Sequence, residues 1–267
     1  MKREFKGHIL HEIPLDYVIL DIKTTGADPY YDSITSIEAA YYLNDEEIEQ
    51  FSETFTGSEA DKLIILKHLQ QFIGRRPLIG YSIEFTIDFL YDAFHTYLEA
   101  PLSNDYLDLK EVLRKTKRLQ GNYTLSAVCK GLKLPKKQDI KETEILLILQ
   151  VFDYIRNEVV HNKKVDYCTP LEDRRCVFTG KLQRLGPKEA SQLLIQNGGT
   201  KEDRVTRKTN YLILGNHDYC SNIEEGKSNK QRKAEVLKQQ GYDIEILSEN
   251  VFYDLIYEKG TRHGTSH

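Results

Sequence analysis

The sequence predicts an α/β protein of two domains, a larger one with a mixed β-sheet and a smaller one with a parallel sheet. Three observations lead to this prediction. The chain has 267 residues, which is more than one hydrophobic core usually organises. Strand and helix patterns alternate along the first part of the chain, fade, and then restart. The composition, 40% hydrophobic and 29% charged, is that of an ordinary globular protein.

Three apolar runs open the larger domain and predict a meander of strands. They cover 16–22, 34–43 and 48–56, and the turn-forming pair Asn44-Asp45 separates the last two. A helix over 61–73 and a short buried strand, PLIGY, are expected next. Strands followed by mixed strands and helices predict a mixed sheet. The remaining helices are expected over 83–98, 108–117, 124–131 and 141–159.

A loss of hydrophobic periodicity over 156–174 indicates a linker. We therefore place the first domain at 1–158, the linker at 159–173, the second domain at 174–258 and a disordered tail at 259–267. Short strands with intervening helices predict that the second domain is built from βαβ units. Its expected strands are 176–178, 204–206, 210–214 and 243–247, with a loop through 226 and helices over 187–196, 229–239 and 248–258.

Charge and composition narrow the classes of function. The chain has 37 basic residues (Lys and Arg) and 41 acidic residues (Asp and Glu). Residues 172–267 contain 16 of the basic and 14 of the acidic residues, so the rest of the chain contains 21 basic and 27 acidic residues. The net charge is therefore −6 for residues 1–171 and +2 for residues 172–267, so a DNA contact is expected to start in the second part. The four cysteines show no paired spacing, which argues against a zinc site or a disulfide framework. No apolar run is long enough for a membrane span or a signal peptide, which predicts a cytoplasmic protein without a membrane partner.

The stretch YVILDIKTTG, residues 17–26, places a carboxylate at the end of an apolar strand. Asp21 follows four apolar residues, and Lys23 lies two positions later on the same side of the strand. A metal-binding strand end would need a second carboxylate at the position of Lys23.

Four segments in order resemble the DnaQ-like, DEDD-type 3′–5′ exonucleases, over roughly residues 15–155. ILDIKTTG stands where that family has D-x-E-T-T-G, and LIGYSIEFTIDFL stands where it has G-H-N-x-x-F-D-x-x-F-L. YLDLKEVLRK and NYTLSAVCKGLKLP are similar to its I-D-T-L and Y-S-L-x-x-L-C-x-x-L-G-I segments. The resemblance implies a ribonuclease-H-like fold and a two-metal nuclease site of carboxylates with a histidine base.

Transferred position by position, the resemblance implies a degenerate site. Asp21 matches the first aspartate, Lys23 replaces the glutamate and Thr86 replaces the aspartate of the second motif. Lys136 and Lys141 fall on the late histidine and aspartate, although a shift of one or two residues would bring Asp139 or Glu142 to the aspartate position.

One surviving carboxylate cannot hold two divalent ions, so we expect an inactive domain with no cofactor and an ion at Asp21 only, if one binds. Lys23 is expected to pair with Asp21 and to repel a dication; alternatively it is a solvent-facing lysine. If the domain is nevertheless an active exonuclease, it needs Mg²⁺ or Mn²⁺. Other acids could then rebuild the site, namely Asp28, Glu84, Asp88 and Glu142.

Residues 174–258 resemble a BRCT domain of the single-copy kind found in bacterial NAD-dependent DNA ligases. The resemblance is carried by CVFTGKL, by PKEASQLLIQNGGTKEDRVTRKTNYLILG and by SNKQRKAEVLKQQGYDIEILSENVFYDLI. It implies a phosphate pocket of Thr179, Gly180 and Lys230 that would take a DNA 5′-phosphate or a partner in DNA replication or repair. The same residues could instead only form the turn of the fold. Further cations that could widen the pocket are Lys181, Arg207, Lys208, Lys227, Arg232 and Lys233.

The 17 tyrosines offer aromatic surfaces on which bases could stack. Tyr30, Tyr31 and Tyr81 could serve in this way, whereas Tyr41 and Tyr42 on their strand are expected to be packing residues.

Three hypotheses follow: a non-catalytic binding protein of DNA metabolism, an active exonuclease targeted by a BRCT domain, and a protein-interaction scaffold without DNA affinity.

Overall fold

The computed structural model describes residues 6–10, 13–116, 119, 122–134, 143–160, 171–216, 223–224 and 227–257. These residues divide into two compact units, one within Glu4–Tyr167 and the other within Cys168–His267. Leu171, which the sequence placed in the linker, is only 1% exposed and packs in the core of the second unit. Within the described ranges, no helix combines the length and the apolar character that a membrane crossing requires.

The first unit is a five-stranded mixed sheet, as the sequence predicted. Strands β1 (Asp16–Thr24), β2 (Ile34–Leu43) and β3 (Glu46–Thr54) form the antiparallel meander. Strands β4 (Leu78–Gly80) and β5 (Tyr106–Asp108) continue the sheet in parallel with β1, in the order β3-β2-β1-β4-β5. The sequence analysis missed β5, because three residues are too few to show a period.

Helices cover both faces of this sheet, and successive side chains of β1 point alternately to one face and the other. Val18 and Leu20 point into a core with α1 (Glu59–Ile73) and α2 (Ile83–Leu98). Tyr17 and Ile19 point into a second core on the opposite face. That core is closed by α3 (Leu109–Thr116), α4 (Leu125–Gly131) and α5 (Glu144–Tyr154), which continues into a π-helical segment, Ile155–Val160.

The N-terminal segment 6–10 adds to the edge of this sheet beside β5. Ile9 forms a parallel bridge with Tyr106, and the backbone N–H of Leu10 donates to the Tyr106 carbonyl at 2.8 Å. Lys6 is buried, and its ammonium lies 2.9 Å from a Glu84 carboxylate oxygen. The segment is therefore anchored to α2 as well as to the sheet.

The second unit contains a four-stranded parallel sheet, in agreement with the βαβ prediction. Its strands are β6 (Arg175–Thr179), β7 (Thr200–Glu202), β8 (Tyr211–Leu214) and β11 (Glu245–Ser248), in the order β11-β8-β6-β7. A short hairpin of β9 (Ile223–Glu224) and β10 (Lys227–Ser228) lies within the predicted loop. The helices are α6 (Pro187–Gln196), α7 (Asn229–Gln239) and α8 (Glu249–Tyr257).

One strand of the second unit is misplaced by the sequence analysis. The expected strand at 204–206 is wrong, because the chain enters its strand directly after Gly199, at Thr200–Glu202. Val205 is a single buried residue between exposed Arg204 and Thr206. This exposed-buried-exposed pattern has the period of a strand, although these residues are not part of a paired strand.

Candidate functional site

Asp21 lies near the C-terminal end of β1, on the sheet face that α5 covers. Its side chain is on the same side of the strand as those of Tyr17 and Ile19. The antiparallel register places it directly opposite Glu38 on β2. A side-chain hydrogen bond joins it to Glu144, the first residue of α5. Thr143 caps that helix, since its hydroxyl accepts from the backbone N–H of Leu146 at 3.4 Å. Strand pairing and a helix start thus bring three carboxyl groups together.

The three acids change the protonation of Asp21. Burial raises the pKa of Asp21 to about 7, and the charge and hydrogen bond of Glu144 and the charge of Glu38 add to the increase. Two hydrogen-bonded carboxyl groups need a proton between them, because two carboxylates would repel. Asp21 therefore takes up a proton near neutral pH.

The predicted ion pair between Lys23 and Asp21 is wrong. Among the described residues no salt bridge joins the two side chains, and Lys23 is exposed to solvent. Its partner across the sheet is Ser36, one step of the pleat beyond the Asp21–Glu38 pair. The lysine therefore does not neutralise Asp21.

Thr86 lies at the end of the first turn of α2, at the position that matches the second carboxylate of the exonuclease family. Its side chain is buried, with 3% of the residue exposed. A threonine hydroxyl carries no charge with which to balance a dication. Lys136 and Lys141, the other two predicted positions, lie outside the described residues, as do Asp139 and Glu142.

Two of the acids considered for a rebuilt site, Glu84 and Asp28, interact with groups other than Asp21. Glu84 pairs with Lys6 and also accepts from the Tyr106 hydroxyl at 2.5 Å. Asp28 is buried, and its pKa is raised mainly by that burial and then by the nearby charges of Asp88 and Asp32. None of these acids is among the groups that shift the pKa of Asp21.

These positions do not fit the two-metal centre that the resemblance implies. Within the part of the chain that the structure describes, no three His, Cys, Asp or Glu side chains are placed to hold one ion. The buried Thr86 and the exposed Lys23 occupy two of the positions where the centre needs carboxylates.

Sequence reasoning missed Glu38 and Glu144. A signal for Glu38 was present, because the meander was predicted and Glu38 lies on its second strand. Without the register, however, its opposition to Asp21 could not be read. The start of α5 gave a weaker signal for Glu144, since that helix was expected to begin at 141.

The tyrosine predictions have separate outcomes. Tyr42 is buried, stacks on Tyr17 with ring centroids 5.5 Å apart and donates to Glu47 at 2.7 Å. Tyr41 lies under the Arg76 guanidinium at 3.9 Å, so the packing role of both residues is confirmed. The Tyr81 hydroxyl donates to the Tyr123 carbonyl at 2.5 Å. Base stacking at Tyr81 stays a prediction.

In the second unit, the three predicted phosphate-binding residues meet at one end of β6. The Thr179 hydroxyl lies 2.8 Å from that of Ser228, the N-cap of α7. Lys230, in the first turn of α7, donates from Nζ to the Phe178 carbonyl at 2.9 Å. Partial burial lowers the pKa of Lys230, and Asp203 and Lys201 act on it in opposite directions.

Gly180 is required by the backbone at this corner. Its φ of +76° lies in the left-handed region. A Cβ atom there would come within 2.6 Å of the Gly215 carbonyl oxygen. The glycine therefore allows β6 and the end of β8 to approach, whether or not an anion binds.

Comparison with known proteins identifies the class. The family model of the RNase H superfamily matches residues 18–169, more than half of the chain. The chain belongs to this superfamily, which confirms the ribonuclease-H-like fold predicted for the first domain.

Individual relatives match only parts of the chain. A DNA ligase of Phytoplasma mali is 31% identical over 85 residues, which are 32% of this chain and 11% of the ligase. A PolC-type DNA polymerase III of Lacticaseibacillus paracasei is 24% identical over 139 residues, 45% of this chain and 10% of the polymerase. The chain thus spans about a tenth of the length of these relatives. Escherichia coli exonuclease I in complex with a dT13 oligonucleotide superimposes with a TM-score of 0.43 at 11% identity, covering 54% of this chain and 41% of that one.

Proposed function

We propose that this chain is a binding protein of DNA metabolism in which an exonuclease-type domain has lost its two-metal centre. A BRCT domain would supply phosphate-directed binding to a DNA end or to a replication or repair protein. The observation that carries the proposal is the buried Thr86, which stands where a metal-dependent exonuclease requires a carboxylate. The similarity to PolC-type polymerases and DNA ligases supports a role in DNA metabolism.

The BRCT assignment is supported by topology and by the corner at β6. Four parallel strands with three helices suit a small βαβ domain of this kind. Thr179, Gly180 and Lys230 lie where the resemblance predicts a phosphate pocket. A partly buried ammonium whose pKa is lowered would regain stability beside an anion, which favours phosphate binding over a purely structural role.

A nuclease assay tests the loss of catalysis. The full chain, incubated with Mn²⁺ and single-stranded DNA, is expected to release no nucleotides, because neither Lys23 nor Thr86 supplies the negative charge that binds a metal ion. Asp21→Ala is the control. A metal-dependent product ladder that disappears in Asp21→Ala would contradict the proposal.

An active metal-dependent 3′–5′ exonuclease is the second candidate, and one observation favours it. Glu144 and Glu38 bring two carboxyl groups to Asp21 that the motif comparison did not include. If they replace the lost ligands, Glu144→Gln must remove any Mn²⁺-dependent activity as completely as Asp21→Ala. Glu53→Gln, which changes an exposed glutamate on β3, must leave that activity intact.

Binding of end-phosphorylated DNA tests the second unit. Lys230→Ala is expected to weaken binding of a 5′-phosphorylated oligonucleotide by roughly tenfold, since it removes one charge-assisted contact. Binding of the 5′-hydroxyl oligonucleotide should change little. Lys238→Ala, which removes an exposed lysine in the last turn of the same helix and away from the pocket, is the matched control. Equal affinity of wild type and Lys230→Ala for both oligonucleotides would contradict the phosphate pocket, whereas no binding of either oligonucleotide by the wild type would favour the scaffold hypothesis.

A further inference from the structure

A cavity in the first unit is used by neither of the sites described above. It has a volume of about 260 Å³ and lies between the loop after β1, the residue that follows β3, and helices α1 and α2. Aromatic rings contribute much of its wall, namely Tyr30, Tyr31, Phe55, Phe89 and Tyr97.

The loop that forms one wall is held by its own hydrogen bonds. The backbone N–H of Asp28 donates to an Asp32 carboxylate oxygen at 3.0 Å, and the N–H of Asp32 donates to the Asp28 carbonyl at 2.7 Å. The Thr25 hydroxyl also donates to Asp32, at 3.1 Å. A loop fixed in this way loses little further conformational entropy when a ligand binds.

This fixed loop presents two tyrosines to solvent. Tyr30 and Tyr31 are 83% and 52% exposed, although their rings pack edge to face with centroids 4.8 Å apart. Rigid, exposed aromatic side chains supply contact area at a low entropic cost, as in protein recognition sites.

The charge at the cavity selects a cation. Asp32 and Asp92 line it, and Asp28 and Asp88 lie near enough to each other to interact. One cation, Lys62, also lines the cavity; its Nζ lies 5.6 Å from the centre of the Tyr97 ring and pairs with Glu59 at 2.8 Å, so the two aspartates still outnumber it. Carboxylates beside aromatic faces attract a positive group and repel a phosphate.

We propose that this cavity receives the guanidinium group of an arginine from a partner protein. A guanidinium is planar, so it can stack on a tyrosine while its N–H groups donate to a carboxylate. The first unit already holds one arginine between a tyrosine ring and a carboxylate, although its Nε makes an ion pair and not a hydrogen bond. Arg76 lies over the Tyr41 ring at 3.9 Å while its Nε is 3.3 Å from an Asp16 oxygen. A nucleobase would also stack, but its phosphates would meet Asp32 and Asp92.

Amide NMR of the full ¹⁵N-labelled chain tests the proposal with three probes. Acetyl-Gly-Arg-Gly-amide is expected to shift the signals of residues 29–34 and 92–97 in a saturable manner. The dissociation constant should be on the order of 1 mM, as expected for a single side chain. The same peptide with citrulline, which keeps the shape and loses the charge, should give no saturable shift. An oligonucleotide, dT10, should leave these signals unchanged.

Matched variants localise the effect. Asp92→Asn and Tyr31→Ala are each expected to weaken binding of the arginine peptide by roughly tenfold, since each removes one partner of the guanidinium. Glu99→Gln removes one exposed carboxylate at the end of α2, outside the cavity, and should bind as wild type does. Unchanged signals elsewhere in the spectrum show that each variant is folded.

Three results would overturn the proposal: equal binding of the citrulline peptide, unaltered binding by Asp92→Asn and Tyr31→Ala, or a saturable shift with dT10 alone. None of them depends on nuclease activity or on the phosphate pocket, so the outcome is separate from that of the proposed function.

Discussion

At the scale of single residues, the pKa of Asp21 is set first by burial and then by two glutamates, and not by the lysine two positions along its own strand. Strand geometry places Lys23 on the same side as Asp21, yet a strand rises about 3.3 Å per residue. Two residues are therefore enough to carry Lys23 into solvent while Asp21 stays under α5. Burial, with a further contribution from Glu144 and Glu38, raises the pKa of Asp21 to about 7, so both forms of the carboxyl group are populated near neutral pH.

Asp21→Asn tests this arrangement through the pH dependence of stability. The pKa of Asp21 is about 7 in the folded chain, against an ordinary value of 3.8. Between these values the folded state holds a proton that the unfolded state has released, so stability falls as the pH rises through this range. The variant lacks this titration. Between pH 5 and pH 8 the free energy of unfolding of the wild type should therefore fall by on the order of 2 kcal/mol more than that of the variant.

Urea unfolding at the two pH values measures the difference. Glu53→Gln, which neutralises an exposed acid on β3, serves as the control and should follow the wild type. Identical pH dependence of wild type and Asp21→Asn would show that the carboxyl pair does not hold a proton.

At the scale of elements, the N-terminal segment is fixed by a buried charge network. Lys6 donates to Glu84 at 2.9 Å and to the Tyr106 hydroxyl at the same distance, and both the lysine and the glutamate are buried. A buried ion pair contributes little net stability, but removal of one partner leaves the other charge without compensation. Segment 6–10, β5 and α2 therefore depend on one another.

Lys6→Met is expected to destabilise the first unit by about 3 kcal/mol, because the buried Glu84 then loses its cationic partner. Adding Glu84→Gln should recover most of the loss. Lys62→Met removes a lysine from the more exposed Lys62–Glu59 pair and should cost below about 1 kcal/mol. Equilibrium unfolding of wild type, Lys6→Met, Glu84→Gln and the double variant measures the coupling; additive effects of Lys6→Met and Glu84→Gln would contradict it.

At the scale of the whole molecule, the two units have separate cores and unequal charge. The first part of the sequence carries 21 basic and 27 acidic residues, and the part from residue 172 carries 16 and 14. Phosphate contacts release counterions, so their number sets the salt dependence of DNA binding. The second unit is therefore expected to supply the charges that respond to salt.

The measured quantity is the slope of the logarithm of the association constant against the logarithm of salt concentration for 5′-phosphorylated DNA. Lys230→Ala is expected to reduce its magnitude by about one, as for the loss of one phosphate contact. Lys62→Ala, in the first unit, should leave the slope unchanged. The reverse result would place the DNA contact in the first unit.

The sequence alone determined the elements whose signals are local. The meander, the mixed and parallel sheets, and most helices follow from apolar periodicity, because the period of a strand or helix is repeated within ten or so residues. The motif comparison likewise located Asp21, Lys23 and Thr86. The three residues of β5 and the strand at Thr200–Glu202 escaped, since so short a run shows no period of its own.

Only the tertiary structure decided what surrounds the candidate sites. The strand register set Glu38 opposite Asp21, and the packing of α5 brought Glu144 to it from a distant part of the chain. The aromatic and acidic cavity likewise combines a loop with two helices that no local pattern connects. Electrostatic energies depend on separation in space and on burial, and neither quantity is encoded in the spacing of residues along the sequence.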